Sequence, residues 1–198
     1  MESVSMILEP LISPKDSMYA GISELQNSHA LDKGSLIGIA GAVAESLSAV
    51  QLFNPALIVD HHHLLSAAQN AVNAWSGGYA RARSLDVEIV VFASGQYQIG
   101  HALDVFGVRD DMASVAAVII GSDVGRIESC HEEITRKIGS DIEPPFSMDS
   151  NKLRAIMSHF GISQEEMNAV SISDNPEEMQ RTLSRCVVSR VSDVALES

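Results

Sequence analysis

The run Leu85–Ala93, Leu-Asp-Val-Glu-Ile-Val-Val-Phe-Ala, constrains the fold of this chain more than any other stretch. It is nearly unbroken in apolar character and rich in Val and Ile, which predicts a strand buried on both faces. Ser94-Gly95 then predicts a helix start, because Ile99, Ala102, Leu103 and Phe106 recur at helical spacing and Gly107 closes the stretch. A strand feeding directly into a helix leaves backbone N–H groups at the end of a sheet, where a phosphate or carboxylate is well accommodated. An ordinary connection with a serine N-cap would look the same.

Val115–Gly121 is a second fully apolar run, and two such strands need cover on both faces. The expected fold is therefore α/β in the broad sense (α+β), a mixed sheet of about four strands flanked by helices. Met18–Glu24 reads as a short edge strand, Ser35–Ala49 as a helix, and Ala56–Val59 as a strand after Asn54-Pro55. Asp60 caps a helix through Trp75, which Gly77-Gly78 weakens and Tyr79–Arg83 extends. After Asp123 helical patterns dominate: 125–138, 152–160, 164–170, and a last helix opened by Asn175-Pro176-Glu177-Glu178. Residues 139–149 contain Pro144-Pro145 and read as a loop. A single domain over 1–198 is expected, with an α/β core at 18–123 and a mainly helical part at 124–198.

At 198 residues and 45% hydrophobic content the chain can bury a sizeable core. Its net charge of −13 argues against broad binding to a polyphosphate backbone, which needs clustered Lys and Arg. A local site for a short nucleic-acid end remains compatible with that charge. Between Lys33 and Arg81 there is no basic residue, and only Glu45 and Asp60 are acidic. A membrane span at Leu36–Val59 is rejected because Glu45, Gln51, Asn54-Pro55 and several serines interrupt it. The region instead suggests an amphipathic helix with a neutral, small-residue face. No signal peptide is expected, because Met1–Pro14 carries Glu2, Glu9 and two prolines and lacks a basic n-region, and Cys130 and Cys186 lack metal-type spacing, so a cytoplasmic protein with reduced thiols is expected.

Catalytic or metal chemistry finds little support in the residues. His61, His62 and His63 are consecutive, so on a helix they diverge by about 100° each and cannot chelate together. His101 lies on the polar side of the helix after Ser94-Gly95 and has no evident acid or base partner. No Walker loop, dinucleotide fingerprint or nucleophile elbow occurs. Neither a metal, a cofactor nor an enzymatic activity is expected.

Several segments, in order, carry a resemblance: His63–Ala71 (HLLSAAQNA), Ala82–Ile99 (ARSLDVEIVVFASGQYQI), His101–Val108 (HALDVFGV), the apolar run at Val115–Ile120, and Lys152–Met167 (KLRAIMSHFGISQEEM). This set resembles the small regulatory subunit of the KEOPS/EKC complex, the family of the PRPK-binding proteins, and is closest to its archaeal type. The resemblance covers most of the chain and is weakest over the first 50 residues. It implies a non-catalytic α/β protein that binds the N-lobe of a small atypical kinase/ATPase. Through that kinase it would join a threonylcarbamoyl transferase acting on tRNA, and it would bind the single-stranded CCA end of tRNA. No membrane partner is implied.

Ser94, Gly95 and the Gln98 amide are then candidate donors to a tRNA 3′ end, with Arg81 or Arg83 as the cation. If 85–93 is extended, Arg83 and Ser94 stand at opposite ends of a strand. They then share a pocket only if a side chain or the RNA spans the strand, and Arg83 could equally pair with Asp86 or Glu88. For the kinase, the stripe Leu183, Val187 and Val191 on the last helix is one candidate surface and the neutral helix 35–49 another. Two alternatives accompany this expectation: a phosphate- or carboxylate-binding enzyme using Ser94-Gly95 with His101, and an adaptor without RNA contact.

Overall fold

The computed structural model describes residues 6–14, 16–171 and 175–195. Four strands form its sheet: β1 (Ile7–Leu11), β2 (Met18–Gln26), β3 (Ala49–Phe53) and β4 (Ser114–Gly121), in the spatial order β1-β2-β4-β3. Every neighbouring pair is antiparallel, so the expected mixed sheet is corrected to an antiparallel one. Eight α-helices accompany it among the described residues, and the α+β class stands. They are α1 (Lys33–Val43), α2 (His61–Gly77), α3 (Leu85–Ser94), α4 (Ile99–Phe106), α5 (Val124–Ile138), α6 (Ser150–Phe160), α7 (Gln164–Val170) and α8 (Pro176–Asp193).

Alternation along β4 explains its unbroken apolar sequence. Ala116, Val118 and Ile120 join one core with residues of α2, α3 and α8, while Val115, Ala117 and Ile119 join a second with residues of α1 and α5. Successive side chains of a strand point to opposite faces, so a strand covered on both faces has no polar face to show. The C-terminal helices belong to the first of these cores through Phe160, Met167, Leu183 and Val187.

The central correction concerns residues 85–93, which are not a strand. They form α3, and Leu85, Glu88 and every residue from Ile89 to Ser94 are buried. A helix covered almost all round presents no polar stripe, so its 3.6-residue period vanishes from the sequence and the Val/Ile run imitates a buried strand. Ser94 consequently ends a helix. Gly95, at φ 63°, supplies the left-handed residue that terminates α3, and α4 begins only at Ile99.

Other boundaries shift for equally local reasons. Met18–Gln26 is central, flanked by β1 and β4, and the edges are β1 and β3. β1 carries Glu9 and Pro10, residues that discourage further pairing at a sheet edge. The helix expected over 35–49 stops at Val43, a 3-10 turn follows at Ala44–Ser46, and β3 starts at Ala49. The expected strand at 56–59 is replaced by a 3-10 turn at Pro55–Leu57, with the Asn54 side chain accepting from the Ala56 N–H. Helix α2 ends at Gly78, whose φ of 75° terminates it before Tyr79–Arg83 can extend it.

The helix starts after Asp60 and Asn175 follow the sequence closely. Asp60 accepts from the His63 N–H at 3.0 Å, and Asn175 accepts from the Glu178 N–H at 2.8 Å. The proposed docking stripe Leu183, Val187 and Val191 is corrected: all three side chains are 0% exposed and belong to the core beneath α8. The stripe is apolar because it faces the protein's own interior.

Candidate functional site

Helical geometry at 85–94 changes which side chains meet. Ten residues at about 1.5 Å each span about 15 Å, well short of an extended segment's reach. Arg81, before α3, meets Tyr97, after it: the guanidinium lies 4.8 Å from the centre of the Tyr97 ring. This is a cation–π arrangement, and Tyr97 is 40% exposed. Gln98, the neighbour of Tyr97, is also exposed and makes no side-chain cap on α4.

Glu88 holds this arrangement from below. Its carboxylate is buried and accepts from the backbone N–H of Arg81 at 3.0 Å and of Ala82 at 2.6 Å. The 78–84 connection is thereby tied to the first turn of α3, and the negative charge also suits a helix N-terminus. Glu88 serves these amides, while Arg83 extends into solvent.

Of the expected RNA-binding residues, Arg81 and the Gly95–Gln98 turn come together through Tyr97. Ser94 is turned inward: its hydroxyl donates to the Val91 carbonyl at 2.8 Å and accepts from the Gln96 N–H at 3.1 Å. Its carbonyl accepts from His159 Nε2 at 2.9 Å, so Ser94 fixes the turn from inside. Gly95 lies against Phe160, with which an added Cβ would be 3.1 Å from the ring.

Tyr97, Tyr79 and Trp75 are aromatic residues that the structure places at the surface. Each is at least 40% exposed, and Trp75, Tyr79 and Arg81 follow one another at the end of α2 and just beyond it. An exposed ring in one sequence offers no period that separates it from a core ring, so no local signal marks these residues.

The histidine run separates as its spacing requires. His63 is fully buried, with Nε2 donating to the Ala93 carbonyl at 2.8 Å and Nδ1 accepting from the Val59 N–H at 3.4 Å. Burial pushes its pKa down to about 4, so the ring is neutral at pH 7. The His61 and His62 rings instead lie 3.9 Å apart at the mouth of a groove. Among the described residues, no group of three or more His, Cys, Asp or Glu is placed to hold a metal ion.

That groove, about 1000 Å³ in volume, runs between β1, α2 and α8. Ile12, Leu65 and Val188 supply apolar wall, while Gln69, Arg181 and Arg185 supply polar groups. Ile12 is 81% exposed, and Gln69 fastens it by accepting from its N–H and donating to its carbonyl, both at 2.8 Å. Val188 lines the groove one residue after the buried Val187, so adjacent positions of α8 serve the surface and the core.

A family model described as kinase binding protein CGI-121 matches residues 23–193, from within β2 to the end of α8. The chain belongs to the CGI-121 family. Membership of the CGI-121 family supports a kinase partner and a regulatory role in protein–protein interaction. The match includes the Arg81–Tyr97 site and the α2 and α8 walls of the groove, and it excludes β1. In this CGI-121 protein no helix among the described residues is long and apolar enough to cross a membrane.

Proposed function

We propose that this CGI-121 family protein is a non-catalytic, cytoplasmic subunit of a KEOPS-type assembly. In that role it docks and regulates a small atypical kinase/ATPase and holds the single-stranded 3′ CCA end of tRNA. It thereby supports threonylcarbamoyladenosine formation by the transferase subunit of the same assembly. Family membership supports the kinase half of this assignment. The observation that carries the RNA half is the Arg81 guanidinium over the exposed Tyr97 ring, beside the exposed Gln98 amide.

An unpaired 3′ end exposes base faces, which stack on aromatic rings or guanidinium planes without needing a long basic surface. Tyr97 provides a ring, Arg81 a charge, and Gln98 both a donor and an acceptor. This compact set is consistent with a protein of net charge −13, because a short end needs few cations. Arg83 adds long-range attraction from its exposed position. Ser94 and Gly95 shape the turn that presents Tyr97 and Gln98.

For the kinase, the groove between α2 and α8 is a concave surface that sets apolar walls beside the cations Arg181 and Arg185, the latter 3.7 Å from Glu178. Its side chains replace Leu183, Val187 and Val191 as the proposed partner contacts. The neutral face of α1 is the competing surface.

Titration of the purified protein with full-length and CCA-trimmed tRNA at two salt concentrations tests the RNA half. Tighter binding of the full-length molecule, lost on Arg81→Glu, is the expected result. Equal affinity for both forms would overturn RNA-end recognition and leave an adaptor without RNA contact, the alternative that the −13 charge favours.

A further inference from the structure

Leu11, the last residue of β1, is buried, yet its neighbour Ile12 is 81% exposed. A single exposed aliphatic side chain at a turn needs no explanation. Ile12 differs in two respects. It stands on the wall of the groove with Leu65 and Val188, and both of its backbone polar groups are held by one side chain.

That side chain is Gln69, on the groove face of α2. Its Oε1 accepts from the Ile12 N–H and its Nε2 donates to the Ile12 carbonyl, both at 2.8 Å. The amide pairs with the peptide much as a neighbouring strand would. Nε2 also donates to Asn73 Oδ1 at 2.9 Å, one turn further along α2. Both amide hydrogens and the oxygen are engaged, which fixes the orientation of the amide. A residue beyond the end of β1 is thereby tied to the middle of a 17-residue helix.

Both bonds to Ile12 are exposed to solvent, where a hydrogen bond adds little to stability. Their larger effect is on order. They fix a large aliphatic group at the edge of a concave surface while leaving it in water. A side chain ordered in advance loses less conformational freedom when a partner buries it, and the burial recovers its hydrophobic free energy. The occupant of the groove is a kinase, because the chain belongs to a kinase-binding family. Leu65, Gln69 and Val188 lie within the matched span 23–193, and Ile12 lies before it.

We propose that Ile12 is the apolar anchor by which the groove seats its kinase, entering a hydrophobic recess of that partner. Gln69 is the positioning residue that presents it. This rests on the reading of the groove as the kinase-docking surface.

Calorimetric titration of the full chain with the purified small atypical kinase of the same organism tests the proposal. Ile12→Ser should weaken binding about tenfold or more, the loss of one buried aliphatic side chain, while Ile12→Leu retains most of it. The exposed position tolerates both without loss of the fold. Gln69→Ala should weaken binding about threefold or more, from the ordering of one side chain, and speed hydrogen exchange at the Ile12 amide. In the Ile12→Ser background, Gln69→Ala should have no further effect, which a merely structural role would not produce. Losses that add independently would remove Gln69 as the positioning residue. Unchanged affinity in Ile12→Ser, with Val188→Asp weakened, would overturn the anchor and keep the groove. Unchanged affinity in both variants would overturn the groove reading and the anchor with it. A dimer of the chain alone, dissociated by Ile12→Ser in sedimentation, would replace the kinase with a second copy as the occupant and overturn the proposal.

Discussion

The guanidinium of Arg81 stacks on the ring of Tyr97, 4.8 Å from its centroid, and joins the two ends of α3. The chain before the helix and the turn after it therefore make one surface. In the proposed tRNA-end site, a base stacked on Tyr97 would contribute about 1–3 kcal/mol. Tyr97→Ala should weaken binding to CCA-ending tRNA by roughly tenfold or more, while Tyr97→Phe retains most of it. Fluorescence titration with a short CCA-ending oligonucleotide measures both. Equal affinities for wild type and Tyr97→Ala would remove stacking from the mechanism.

Glu88 supports that surface through two backbone amides. Glu88→Ala leaves the Arg81 and Ala82 N–H groups without their acceptor, and the cost should be about 2–4 kcal/mol, from one to two buried unsatisfied donors. Urea denaturation should show a lower midpoint with little change in slope. A midpoint equal to that of the wild type would show that the 78–84 connection does not depend on Glu88.

Neutral His63 makes stability depend on pH in a defined direction. Its folded pKa, about 4, lies below the ordinary 6.5, so the unfolded chain binds the proton more readily. The stabilisation is complete above pH 6.5 and is lost progressively as pH falls toward 4. At pH 5 this one group should account for about 2 kcal/mol of loss, at 1.36 kcal/mol per unit of pKa difference. Denaturation at pH 7.5 and pH 5 for wild type and His63→Gln isolates the contribution. Identical pH dependence in both proteins would exclude His63 as its source.

Val187 and Val188 offer a paired test of the groove. Val187→Asp buries an unpaired carboxyl in the core, because the native side chain is 0% exposed, and should unfold the protein or cost several kcal/mol, about 3–5. Val188→Asp places the charge in the groove wall and should leave the melting temperature nearly unchanged. If the groove docks the kinase, co-purification with that kinase should fall about tenfold or more in Val188→Asp. Undiminished co-purification would move the docking surface elsewhere, with the face of α1 next in line.

Gly95→Ala addresses the turn itself. The φ of 63° strains any residue with a Cβ, and the added atom would meet Phe160 at 3.1 Å. A loss of about 1–2 kcal/mol is expected by thermal denaturation. A stable variant would mean that the turn has relaxed to another conformation, and binding of the CCA end should then fall with it.

Much of the architecture is legible locally. Asp60 and Asn175 announce helix starts because a short polar side chain before an apolar pattern can satisfy a free N–H. The strand at Ser114–Gly121 is readable because its apolar run is short and alternates between two cores. The ordered segments from His63 to Met167 also point to the family whose model matches residues 23–193.

Residues 85–93 mark where local information ends. A buried strand and a helix buried on nearly every side are both continuous apolar runs, and only the surrounding elements choose between them. The same choice governs the candidate site. As a strand the segment would hold Arg83 and Ser94 apart; as α3 it shortens the gap and brings Arg81 onto Tyr97. Likewise, the stripe on α8 shows a helix with an apolar face, but whether that face meets the protein's own core or a partner depends on what stands opposite. The sequence by itself determined the helix starts after Asp60 and Asn175, the β4 run and the family. Tertiary packing decided the identity of α3, the burial of Leu183, Val187 and Val191, and the meeting of Arg81 with Tyr97, because each depends on neighbours remote along the chain.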